Sequence, residues 1–154
     1  MRLSHFVRVL LSVLSAAVLL CSLSGCGGGE GAKTADYRDG TYTGRSADHQ
    51  EDEDGNGAGY GEVTLTVSGQ KITDCTFKMY HLDGTLKDET YGADLTKENR
   101  LKAQKAVQSA DKYADALVKS GSIEAVDVIS GATISHSEFK EAVEAALRQA
   151  EKTA

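Results

Sequence analysis

The residues best suited to chemistry stand in one short run, Asp127-Val128-Ile129-Ser130-Gly131-Ala132-Thr133. An apolar, strand-like stretch precedes it and a helix-forming stretch follows, so it reads as the turn into a helix. Gly131 permits close backbone approach there, and hydroxyls face the first amide groups of the helix. Helix starts carry free N–H donors and partial positive charge, which suits them to a phosphate. On an acidic chain with no long basic cluster, such a turn is a means of holding a phosphorylated ligand. The same residues also serve as a plain connecting turn, and both readings stand at this level.

Other chemistry-bearing types are weaker signals. Asp52, Asp54, Asn56 and Gly57 match positions one, three, five and six of a calcium loop. Position twelve is Val63 where a bidentate glutamate is needed, and a strand follows instead of a helix, so no metal site is assigned. A solvated acidic loop is the simpler reading. His49, His81 and His136 lack zinc-ligand spacing, although His136 is close enough to Thr133 to steady a phosphate. Ser135 and Ser137 do not stand in a Gly-x-Ser-x-Gly setting, so no hydrolase is indicated and no catalytic residue is named. Glu138, Glu141 and Glu144 read as an exposed acidic face of the last helix.

The elements that must position the turn follow from periodicity. Thr41-Tyr42-Thr43 is a short β-prone run after an Asp39-Gly40 turn, and residues 47–59 form a polar, glycine-rich loop. Val63, Leu65 and Val67 alternate on one face of a strand, and Ser68-Gly69 turns the chain. A second strand spans Lys71 to about Tyr80. Ile72 is out of phase with Cys75, Phe77 and Met79, which predicts a bulge or strand end near Thr73-Asp74. Leu101, Ala106, Ala110, Tyr113, Ala114 and Leu117 recur at helical spacing, predicting an amphipathic helix over 97–119 that stops at Gly121. Ile123 to Ile129 reads as one more short strand. A final helix begins near Ser135, where Ser135 and Glu138 have capping-box spacing, and buries Phe139, Ala142, Val143, Ala146 and Leu147. The fold class is α+β, a small, mainly antiparallel sheet packed with two amphipathic helices.

The 154 residues suffice for one modest domain, and a formal charge of -6 argues against a nucleic-acid partner. Residues 1–25 read as an export signal: Arg2 and Arg8 precede an almost wholly apolar run from Val9 to Leu23. The segment ends Leu-Ser-Gly-Cys and resembles a bacterial lipobox, which implies cleavage before Cys26 and lipidation of its thiol. Acyl chains would then hold the protein to a bacterial membrane on its extracytoplasmic side. Loss of the signal leaves 15 basic against 23 acidic side chains, so charge would not draw the domain to anionic lipid. Residues 26–36 form a glycine-rich tether, about ten residues with a root-mean-square span of roughly 18 Å, and residues 37–154 form the domain. Cys75 is the cysteine remaining in the folded part and reads as a small core residue.

Asp-x-x-Ser-Gly-Ala-Thr resembles the flavinylation motif of the FMN-binding domain family, which includes peripheral subunits of the Na+-pumping NADH:quinone oxidoreductase and Rnf complexes. Asp39-Gly40-Thr41-Tyr42, Gly59-Tyr60-Gly61-Glu62-Val63, Lys87-Asp88-Glu89-Thr90-Tyr91-Gly92 and Phe139-Lys140-Glu141-Ala142 extend the similarity to small lipoprotein members over roughly residues 36–150. The resemblance implies that a flavin transferase links FMN through its phosphate to Thr133. Asp127 would then be the acidic determinant, and Ser130, Gly131 and Ala132 the presenting turn. Tyr91 and Tyr80 are candidates to contact the flavin ring. The function so implied is electron carriage in a membrane-associated chain with unidentified redox partner proteins, rather than a substrate-transforming reaction. Two alternatives remain: a non-redox surface module that binds a partner or calcium through residues 48–57, and an accessory subunit docked on a larger oxidoreductase.

Overall fold

The computed structural model describes residues 36–53 and 55–152. The predicted export signal, Cys26 and the tether up to residue 35 lie outside the described residues. Three antiparallel strands form the sheet in the order of the chain: β1 (Gly40–Arg45), β2 (Tyr60–Ser68) and β3 (Lys71–Tyr80). Two helices follow, α1 (Lys97–Ser120) and α2 (Thr133–Ala150). This is a small α+β fold, as the periodicity predicts.

The alternation of β2 decides which face is covered. Val63, Leu65 and Val67 are at most 1% exposed, while Thr64 and Thr66 point outward and meet Thr43 and Thr41 across β1 at 3.2 and 3.1 Å. The predicted bulge is present: Thr66 pairs with Asp74 and Val67 with Ile72, leaving Thr73 as the extra residue. That insertion brings Ile72 into phase with the buried face. Helix α2 lies on β1 and β2, and α1 lies on β3. The contact with β1 is backbone to backbone. A Cβ on Gly44 would collide with the Ala142 carbonyl and the Ala146 amide, so glycine here and alanine on the helix set the layer spacing. Phe139 fills the centre, edge-on to Phe77 at 5.0 Å and stacked on Tyr113 at 5.7 Å.

Helix α1 begins under a Thr96 cap and stops at Gly121, which holds φ +72° and donates its N–H to the Leu117 carbonyl. Leu101 does not join its inner face, being 64% exposed; the buried stripe starts at Ala103, which packs beside Gly92. The predicted strand over 123–129 is replaced by a 3₁₀ turn, Ile123–Ala125, and an irregular segment. Val126 is its one fully buried apolar side chain and Val128 is 52% exposed, so the segment gains its burial beneath the helices, not from pairing with a strand. At the other end of α2, Asp36 to Arg38 meet residues 150–152 through the Tyr37–Glu151 bridge, the Arg38 amide on the Ala150 carbonyl, the Lys152 amide on the Asp36 carbonyl, and the Lys152–Asp36 ion pair at 2.9 Å.

Candidate flavin site

The turn 127–133 and the start of α2 are built from the inside. Gly131 holds φ +78°, and the Ala132 amide donates to the Ile129 carbonyl at 2.9 Å, closing a tight turn. Beneath it the Tyr113 hydroxyl, buried on α1, accepts from the Ile129 amide and donates to the Ala132 carbonyl, both at 3.0 Å. One phenol thus latches both ends of the turn. Burial raises the Tyr113 pKa and the Ile129 hydrogen bond opposes that rise, so the hydroxyl stays a donor.

Helix α2 starts at Thr133, two residues earlier than the expected Ser135 cap. Ala132 is the N-cap and offers no side chain, and no acidic residue stands in the first turn. Ser135 and Glu138 do not form a capping box; both lie inside the helix and are buried, at 3% and 5% exposure. The first-turn amides therefore stand open beside the exposed Thr133 hydroxyl. Lys105 adds positive charge: a Cβ on Gly131 would lie 3.1 Å from its Nζ. An uncapped helix start, a lysine and a reachable hydroxyl make an anion site with a point of attachment.

Thr133, Gly131 and Ala132 lie on the wall of a cleft of about 510 Å³, within the range of small-molecule and cofactor sites. The opposite wall comes from the glycine-rich loop and the segment after β3. Gly57 leaves room for the Tyr91 hydroxyl, and Tyr91 sits between the edge-on ring of His81 at 5.2 Å and the Lys87 ammonium at 5.0 Å. Burial, then Glu138 and Glu51, raise the Tyr91 pKa. Of the expected site residues, Gly131, Ala132, Thr133 and Tyr91 line this cleft. Asp127 and Ser130 are exposed on the turn outside it. Tyr80 does not line it either: strand alternation turns its ring to the other sheet face, stacked on Tyr60 at 5.3 Å. His136 is also turned away, with Nε2 2.9 Å from the Val126 carbonyl.

Part of the acidic loop lines the same cleft. Asp52 and Asn56 are on its wall, and the Asp52 carboxylate accepts from both the Asn56 backbone amide and its side chain. Composition and periodicity missed three residues here: Tyr113, read as packing, Lys105, and Glu138, read as solvent-facing. Glu138 is a correction with a legible signal, since its three-residue spacing from Ser135 and four-residue spacing to Ala142 put it on the inner stripe.

The comparisons with known proteins agree with this geometry. The chain is similar over 75% of its length to a Clostridium perfringens protein of known crystal structure, with 26% identity, a TM-score of 0.57 and 89% of that protein covered. That likeness defines the class as a small α+β domain of this topology. A family model described as FMN-binding domain matches residues 38–148. The chain belongs to the FMN-binding domain family, and flavin binding with a role in electron transfer is the function that membership assigns. None of the curated proteins matches it.

Proposed function

We propose that this protein is an exported, lipid-anchored electron carrier whose FMN is joined through its phosphate to the Thr133 hydroxyl. The observation that best supports this is the exposed Thr133 side chain at an uncapped helix start beside Lys105, on the rim of a cleft of cofactor size. A flavin transferase can reach such a hydroxyl, while the amides and the lysine accommodate the phosphate charge. Once bound, FMN supplies one- and two-electron chemistry, and the chain supplies position and polarity. Gly131 and Tyr113 hold the turn, Lys105 neutralises charge, and Tyr91 offers an aromatic wall. Attachment keeps the cofactor at high local concentration outside the cytoplasm, where free FMN would be diluted.

Anchoring through Cys26 is part of the same proposal. The described domain begins beside the last turn of α2, whereas Thr133 stands at its first, about 26 Å away at 1.5 Å rise per residue. The glycine-rich segment before Asp36 joins the domain at that end of α2. No described helix is long and apolar enough to cross a membrane.

Intact-mass analysis after co-expression with a flavin transferase is the direct test. An FMN-sized adduct is expected on wild type and Thr133→Ser, and absent from Thr133→Ala. No adduct on wild type, or one that persists in Thr133→Ala, refutes the attachment. Loss of detergent-phase partitioning in Cys26→Ala tests the anchor.

A further inference from the structure

The cleft holds two buried ionisable side chains with no part in the attachment chemistry. Lys87 is 8% exposed and Glu138 5% exposed, and both lie on the cleft wall. They arrive from separate segments. Lys87 is fixed after β3, its amide donating to the Met79 carbonyl at 2.8 Å; Glu138 stands in the second turn of α2, five residues after Thr133. The Lys87 Nζ donates to the Gly57 carbonyl at 3.1 Å. The Glu138 carboxylate accepts no hydrogen bond from any described residue, and the attraction of Lys87 only partly offsets its burial. Its oxygens are not sealed from solvent, so the carboxylate reaches the cleft, where a ligand that brings an N–H or O–H supplies a donor.

We propose that Lys87 and Glu138 contact the ring system of the bound flavin, the ammonium at an acceptor and the carboxylate at an N–H donor, and that their opposed charges set its reduction potential. This rests on the reading of the cleft as the FMN site and deepens it. The polar edge of an isoalloxazine alternates carbonyl acceptors with an N–H donor, a pattern that the apolar wall of Ala103, Ala106 and Met79 cannot satisfy. Reduction by a partner adds electrons to the ring. A fixed ammonium nearby favours the electron-rich form and raises the potential, whereas a carboxylate lowers it. Glu138 faces Lys87 and Tyr91 from the segment after β3, Glu141 on its own helix, and Asp52 and Lys102 across the cleft.

The test is a dye-equilibrated redox titration of the full chain loaded with FMN by co-expression, followed by flavin absorbance. Lys87→Met is expected to lower the midpoint potential and Glu138→Gln to raise it, with the distant controls Lys140→Met and Glu144→Gln matching wild type. The gap between Glu138→Gln and wild type closes as pH falls through the carboxylate titration, because the protonated carboxyl is uncharged. In unloaded protein the Glu138 carboxyl, followed by carbon NMR, titrates at higher pH in Lys87→Met. Should Lys87→Met not fold, the near-isosteric Glu138→Gln decides by itself. A potential that stays constant, or moves in the same direction for both variants, overturns the inference. Absence of any adduct on wild type instead overturns the FMN attachment on which it rests.

Discussion

Replacing Tyr113 with phenylalanine isolates the latch beneath the flavin turn. The ring keeps its stack on Phe139 at 5.7 Å and its edge contact with His136 at 5.4 Å, so packing is conserved. Two 3.0 Å hydrogen bonds disappear. The Ala132 carbonyl retains the His136 amide at 3.0 Å, but the Ile129 amide loses its acceptor. At about 1 kcal/mol for each bond, the loss is ~2 kcal/mol. In a domain of this size unfolding entropy converts that into a Tm about 8 °C lower. Thermal denaturation by circular dichroism measures it. The turn also loses its pre-organisation, so at 20 °C, with both proteins folded, kcat/KM for flavin transfer should fall about tenfold, the equivalent of ~1.4 kcal/mol. If Tyr113→Phe melts within about 2 °C of wild type and accepts flavin at the same rate, the latch argument is wrong.

Gly131→Ala should slow flavinylation, because φ +78° strains an L residue and the new methyl crowds Lys105; the strain amounts to about 1 kcal/mol in chemical denaturation. Gly44→Ala should destabilise far more, by about 3 kcal/mol, since the added carbon meets α2 backbone that cannot swing aside; a urea midpoint close to wild type would contradict the close-packing account. Burial, reinforced by Asp74, pushes the Cys75 thiol up to about 12 from its ordinary 9.0. At pH 8.5 its thiolate fraction is several hundredfold smaller than in the unfolded chain, and after the greater nucleophilicity of the more basic thiolate is counted its reaction with a disulfide reagent should run roughly 30-fold slower. The sign of the linkage also follows: the folded state holds this proton more tightly, so the contribution of Cys75 to stability is complete below pH 9 and declines as pH rises toward 12. Alkaline melts of Cys75→Ser against wild type, with a shallower decline for the variant, check that direction.

Which parts were legible divides along a physical line. Alternation in β2, the out-of-phase Ile72, the helical stripe from Ala106 to Leu117 and the glycine stop at 121 are local patterns, and each appears where the residues put it. The segment 123–129 misled because isolated apolar residues there resemble a strand, while pairing depends on an available sheet edge that only the assembled fold defines. The start of α2 misled for a similar reason. Ser135-x-x-Glu138 has capping spacing, but burial against the cleft draws both side chains inward and moves the helix start back to Thr133.

The amino-acid order by itself thus determined the presence of the two helices and the strand faces, and singled out the Thr133 hydroxyl as the candidate for attachment, because caps, turns and periodicity act between near neighbours. It also carried the family resemblance that the match over residues 38–148 bears out. Tertiary structure alone decided the environment of that hydroxyl. Lys105 and Tyr113 from α1 meet the turn that presents it, while Lys87 and Tyr91 from the segment after β3 and Glu138 from α2 line the cleft beside it. Their charges and hydrogen bonds acquire meaning only when packing excludes water between segments tens of residues apart.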